Sequence, residues 1–285
     1  IPKRDWSSDV CSSDLAFPVV AFSNELERIL SDANRYTVKI YHSTDTPFIE
    51  DNYNSSSGSG ILIDKTNGII ITNAHVSSYS PSYNRVNFKY SDPMQSKQIY
   101  IDPEIDLAFL QVDAKLIPKD AIEAKLQCKN DYKQGQNVVA FGHPNNKDFT
   151  ITRGIISAVR YETDFFESIQ TDAAINGGNS GGALIDVSSG LVVGINSFGA
   201  TDAEGLNFAL PSYTVCKVLD LFKSKKDPSP LDFQVLFSNN KEQGKFLKVS
   251  EVSNTQSLLK VGDEILEDRK STRLNSSHVS ESRMP

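Results

Sequence analysis

Asn176-Gly177-Gly178-Asn179-Ser180-Gly181-Gly182 sets a serine inside a glycine-rich turn. Glycine lets the backbone adopt the dihedrals of a tight turn and lets a substrate carbonyl approach bare amides. The N–H groups of Gly178 and Ser180 could then converge on the oxyanion that forms when Ser180 attacks a carbonyl carbon. Serine-bearing glycine turns also arise without chemistry, so the run needs partners elsewhere in the chain.

Two partners lie upstream. Ile69-Ile70-Ile71-Thr72-Asn73-Ala74-His75-Val76 is a β-rich run that delivers a histidine just past a strand end, and Asp106-Leu107-Ala108-Phe109-Leu110 opens another such run with an aspartate. A serine hydroxyl needs a base to take its proton, and that imidazole needs a carboxylate to fix its tautomer and stabilise its charge. His75, Asp106 and Ser180 supply these roles in the order histidine, aspartate, serine. That is the chymotrypsin-type order, not that of subtilisins or α/β-hydrolases. A serine esterase of the α/β-hydrolase kind is excluded because it needs a histidine after the serine. The only one is His278, in a terminal segment set aside below.

Further blocks carry a family resemblance. Ser59-Gly60-Ile61-Leu62-Ile63-Asp64, Thr72–Val76, Asp106–Leu110, Val139-Ala140-Phe141-Gly142-His143-Pro144, Gly154-Ile155-Ile156-Ser157, Thr171–Gly182 and Asn207-Phe208-Ala209-Leu210-Pro211 resemble, in order, the signature blocks of the HtrA/Deg family. The resemblance implies an all-β fold, a chymotrypsin/trypsin-like double β-barrel, and a serine endopeptidase of protein quality control that cleaves unfolded or damaged proteins. It also implies homotrimers, a periplasmic or otherwise extracytoplasmic location, and no metal or organic cofactor. The rival from another class is a chaperone-like peptide-binding protein on the same fold with little turnover.

Specificity follows from the same resemblance. In trypsin-like pockets the residue six before the nucleophile lies at the pocket floor, and here that is Ala174. A neutral floor cannot compensate a buried cation. Ile175 and Phe198 are candidate pocket walls, so the expected preference is for small or medium aliphatic side chains. His42 reads as structural or exposed and His143 as a solvent-facing residue of a Gly-His-Pro turn. Asp102, before Pro103, reads as a turn initiator, and Asp172 as a structural hydrogen-bonding residue.

The two ends look foreign to the rest. Asp268–His278 can be back-translated into a string resembling a short-read sequencing adapter, and Cys11–Leu15 into the reverse complement of its start. Residues 1–15 and 268–285 are therefore excluded from fold reasoning as expected read-through, natural Ser-rich tails being the alternative. Two cysteines remain, Cys128 and Cys216. They could pair, but the expectation is a pair of free thiols, one near a surface turn and one on a helix. The net charge of −7 argues against nucleic acid as a partner, and no apolar stretch is long enough to span a bilayer.

Short β-rich runs recur at 60–63, 69–72, 85–89, 107–112, 137–141, 151–159, 191–196 and 206–210, with Asp64–Gly68 as a hairpin loop. Many strands and few helical patterns favour a barrel or sandwich. Residues 16–34 read as an N-terminal arm or signal-peptide remnant, with a helix across Asn24–Ala33 from the spacing of Leu26, Ile29, Leu30 and Ala33. The protease unit spans 35–226 and closes with a helix capped at Ser212 and carrying Val215, Val218, Leu219 and Phe222. Residues 227–230 read as a linker, and 231–267 resemble an incomplete PDZ-like domain.

Overall fold

In the computed structural model of the protein, the described residues are 17–45, 55–143, 149–161, 167–199, 205–226, 228, 235–239, 246–252 and 264–266. The two terminal segments expected to be read-through lie outside them, as does almost all of the expected linker. The chain divides into two units, Ile1–Pro228 and Ser229–Pro285.

Two closed antiparallel barrels of six strands each fill the first unit. The first contains β1 (Thr37–Ser43), β2 (Ser55–Asp64), β3 (Ile69–Thr72), β4 (Tyr83–Asn87), β5 (Met94–Asp102) and β6 (Leu107–Val112). Its order is β1-β2-β3-β6-β5-β4, closed by β4 on β1. The second contains β7 (Asn137–Gly142), β8 (Thr150–Tyr161), β9 (Glu167–Thr171), β10 (Ala183–Asp186), β11 (Val192–Gly199) and β12 (Asn207–Pro211). Its order is β10-β11-β12-β9-β8-β7, closed by β7 on β10. Closure removes the exposed edges that an open sheet would offer to other chains. This is the chymotrypsin-like double barrel.

Isoleucine and leucine dominate the first interior: Ile40, Ile61, Leu62, Ile70, Ile71, Leu107 and Leu110 are all fully buried with Phe109. Branched side chains suit a pleated, enclosed surface. The second barrel has a smaller cluster of its own in Val138, Ala140, Ile156, Ile169, Ala173, Ile175, Leu184, Val193 and Ala209.

A helix, α1 (Phe17–Tyr36), precedes the barrels, longer at both ends than the stretch expected from periodicity. Ile29 and Ala33 are buried one turn apart, and the run extends to buried Tyr36. Burial raises the Tyr36 phenol well above its ordinary range, assisted by the charge of Asp32. No described helix is long and apolar enough to cross a membrane.

The closing helix α3 (Ser212–Lys223) starts one residue earlier than a Ser212 cap would require. Its cap is Pro211, which offers no side-chain acceptor. The Tyr132 hydroxyl supplies one instead, accepting the Tyr213 amide at 3.0 Å. Burial is the main reason that the Tyr132 phenol is pushed up to about 12.

The cysteines overturn the expectation of free thiols. Cys128 and Cys216 form a disulfide, with Cα atoms 5.6 Å apart across 88 residues of sequence. It ties the segment between the barrels to α3. A closed loop of that length restricts the unfolded chain by on the order of 4 to 5 kcal/mol in the chain-entropy account.

The second unit is described as a three-stranded antiparallel sheet, β13 (Val235–Asn239), β14 (Phe246–Val252) and β15 (Glu264–Leu266), in that order.

Candidate active site

His75 follows β3 on a single turn of helix, α2 (Ala74–Ser77). Its neighbours Ala74 and Val76 are buried and anchor the turn, while the histidine side chain keeps 41% of its surface exposed. The imidazole is thus held at its base and open at its tip.

Asp106 stands at the head of β6 with a φ of 54°, a left-handed conformation unusual outside glycine. Several bonds hold it there. The Asn73 amide donates to its main-chain carbonyl at 2.9 Å, and the His75 backbone N–H donates to Oδ1 at 3.1 Å. His75 Nδ1 lies 2.8 Å from Oδ2 and 3.0 Å from Oδ1. A carboxylate only accepts, so Nδ1 carries the proton and the Nε2 lone pair remains available as a base.

Ser180 enters from the second barrel, on the turn between β9 and β10. The Asn179 N–H donates to the Asn176 carbonyl at 2.9 Å, and Gly178 has a φ of 101°. This combination is a type II turn, in which the third residue needs positive φ. The turn locks onto its own barrel where the Gly181 N–H bonds Asn196 O at 2.8 Å and the Asn196 N–H returns to Gly182 O at 2.9 Å. Gly181, with a φ of 81°, has no room for a side chain: a Cβ would sit 2.0 Å from the Ser59 carbonyl oxygen. Among the described residues, neither the Gly178 nor the Ser180 amide donates to a protein acceptor. Both are therefore available to an incoming oxyanion.

Ser197, on β11, joins the two halves and was not anticipated from the sequence. Its hydroxyl donates to Asp106 Oδ2 at 2.7 Å, and its carbonyl accepts the Ser180 hydroxyl at 2.6 Å. One network therefore contains Ser180, Ser197, Asp106 and His75. Among the described residues no hydrogen bond links Ser180 directly to His75, so its hydroxyl must leave Ser197 to meet the base. No local motif marks Ser197, because its partners come from other strands.

The expected pocket residues separate. Ala174 is exposed. Phe198 keeps 46% exposure and stacks on Phe208, with ring centroids 4.9 Å apart. Ile175 instead sits in the core cluster of the second barrel, and its N–H donates to Asn207 Oδ1 at 3.2 Å. Phe208 and Asn207, on β12, are thus neighbours of this region, which the sequence marked only as part of a family block.

Four other side chains complete the comparison with expectation. Asp102 accepts the Glu104 and Ile105 amides, and Asp172 accepts the Ile155 amide at 2.7 Å. His42 is buried, with Nδ1 3.0 Å from Ser56 Oγ. His143 departs from the solvent-facing turn residue expected of it: it is 1% exposed, against Ser59 and Phe149. A Gly-His-Pro run gives a local turn signal and no information about what packs on it.

This geometry defines a trypsin-like serine hydrolase domain, and comparison with known proteins agrees. Residues 58–195 match the family model described as "Trypsin-like peptidase domain". The chain is 38% identical over 185 residues to the "Serine protease Do-like HtrA" of Bacillus subtilis (strain 168), covering 60% of this chain and 40% of that protein. It is 36% identical over 165 residues to the "Periplasmic serine endoprotease DegP" of Escherichia coli (strain K12), covering 55% and 34%. Among solved structures, the HtrA-type protease AlgW with tripeptide superposes with a TM-score of 0.68 at 25% identity, over 90% of this chain and 89% of that one. The serine endoprotease from Yersinia pestis gives 0.59 at 28% identity, over 80% and 75%. Residues 58–195 are thus a trypsin-like peptidase domain, similar to those of the HtrA/Deg serine proteases. The chain spans less than half the length of these curated relatives.

Proposed function

We propose that the protein is a serine-type endopeptidase of unfolded or damaged polypeptides, with His75 as base, Asp106 as its orienting carboxylate and Ser180 as nucleophile. The network through Ser197 carries this reading, because it gathers all three groups from distant stretches of sequence.

In the first step the Ser180 hydroxyl turns from Ser197 to His75. Its proton passes to Nε2 as Oγ bonds the peptide carbonyl carbon. The resulting oxyanion faces the Gly178 and Ser180 amides, which act where charge develops. Collapse breaks the C–N bond, and the imidazolium returns its proton to the leaving amine. Water then attacks the acyl-enzyme, giving its proton to His75. Release of the acid product restores the Ser180 hydroxyl.

Ala174 as a neutral floor, with Phe198 as a wall, directs cleavage after Val, Ala or Ile. A peptide-library profile dominated by Lys or Arg would refute that assignment. The family resemblance supports a homotrimer in protein quality control, with a PDZ-like second unit. Relatives named periplasmic, together with a disulfide, support an extracytoplasmic location.

The direct test is degradation of casein by the full chain beside Ser180→Ala, with fluorophosphonate labelling of both. Cleavage and labelling lost only in the variant fit the endopeptidase. Labelling without cleavage points to the peptide-binding rival, and a wild type that does neither sinks the assignment of Ser180.

A further inference from the structure

Ser59, on β2 of the first barrel, is fully buried against the turn that carries Ser180. Among the described residues, its hydroxyl has three polar neighbours. The Gly178 carbonyl oxygen lies at 2.7 Å, the His143 backbone nitrogen at 3.0 Å and His143 Nδ1 at 3.1 Å. A hydroxyl has one proton to give and two lone pairs to receive with. The Gly178 carbonyl can only accept, so it takes the proton. The remaining neighbours must both come as donors. The backbone N–H does so by nature, and Nδ1 does so only when it bears hydrogen.

We infer that His143 is a positioning residue for the oxyanion-binding turn. In its Nδ1–H tautomer it fills the acceptor side of Ser59 and commits the Ser59 proton to the Gly178 carbonyl. That carbonyl belongs to the peptide between the Gly178 and Ser180 amides, so tethering it fixes the relative aim of both donors. With the proton on Nε2 instead, Nδ1 would compete with Gly178 for a single hydrogen, and the tether would be shared.

The surroundings suit such a role. Phe149 meets the His143 ring edge-on with centroids 4.6 Å apart, and Lys89 lies 5.0 Å from the Phe149 centroid. A Cβ at Gly142 would come within 2.8 Å of both Ser59 Oγ and Asn179 Oδ1, so the end of β7, Ser59 and the turn are in direct contact. Ser59 itself is pinned at its backbone. Its N–H donates to Ser180 O at 2.8 Å, and its carbonyl accepts the Thr72 hydroxyl at 2.7 Å.

The effect on rate rests on Ser180 being the nucleophile, whereas the tautomer does not. His143→Leu removes the donor, while His143→Asn can place an amide N–H where Nδ1–H stood. His143→Leu should lower kcat and the rate of fluorophosphonate labelling about 10- to 100-fold, less than loss of an oxyanion donor itself. KM should change no more than about 3-fold, because ground-state contacts persist. His143→Asn should recover most of the rate. Ser59→Ala should match His143→Leu, and the double variant should be no worse than either alone. Full rate in His143→Leu, or no rescue by asparagine, overturns the inference. Nitrogen-15 NMR of the imidazole decides the hydrogen-bond scheme even without turnover: Nδ1–H is expected, and Nε2–H overturns it. A wild type with the Nδ1–H tautomer that never labels would instead count against Ser180 as nucleophile.

Discussion

The two barrels have the same number of strands and the same antiparallel closure, yet they hold their contributions to the site differently. The first holds His75 and Asp106 through its own Asn73 and His75 backbone, with one bond from Ser197 of the second. The second presents Ser180 on a glycine turn that needs help from outside, since Ser59 of the other barrel holds it at Gly178 and Ser180. Their interiors match this contrast. Large branched side chains fill the first, whereas the cluster private to the second includes three alanines. The proposed acid–base pair therefore rests mainly on one barrel, whereas placing the proposed nucleophile requires both.

The largest effect should separate chemistry from folding. Asp106→Asn should lower kcat about 10^3- to 10^4-fold while melting stays cooperative, because the wrong imidazole tautomer is then favoured. A small loss, below tenfold, would mean that the first barrel does not set the base.

Next in size is the covalent tie at the second barrel. Replacing Cys128 and Cys216 together by serine should cost roughly 2 to 5 kcal/mol, measured by urea denaturation. If the contrast between the barrels holds, reactivity of Ser180 at partial denaturant should fall in this variant before hydrogen exchange in β3 and β6 accelerates.

A smaller test trims one methyl group. Ile156→Val in the second cluster should cost about 1 kcal/mol, and Ile70→Val in the first a similar amount. Only the former should also slow labelling of Ser180; equal slowing by both would erase the distinction.

The smallest effect is on pH dependence. Burial alone would raise the Asp186 pKa, but hydrogen bonds from Ser188, Ser189 and Gln136 together hold it below its ordinary value. Such a group stabilises the fold above its unfolded pKa of about 4, and that contribution is lost as pH falls through the lower folded value. Asp186→Asn should therefore flatten the acid side of the melting profile below about pH 4. An unchanged slope would remove Asp186 from the support of the β10–β11 turn.

Much of this was legible where chemistry or periodicity is local. Ile69–Ile71 announced a strand, His75 followed that signal and Asp106 opened another, and Val215, Val218 and Leu219 marked one face of α3. Other strands were missed for identifiable reasons. In β5, Met94–Asp102, only Met94, Tyr100 and Asp102 are buried, so polar residues mask the alternation. In β10, four residues are all buried and no period is visible. The disulfide partners are 88 residues apart and carry no spacing signal. His143 and Ser59 meet across 84 residues. Ser197 likewise acquires its meaning only when β11 is laid beside Asp106.

The Cys128–Cys216 bond also changes what a cut would do. A single cleavage anywhere in the 88-residue interval, by another copy or by any other protease, would leave both fragments covalently attached. The nicked molecule would keep its mass in a non-reducing gel and reveal its pieces only after a thiol is added. A break that would otherwise separate two fragments leaves them on one molecule.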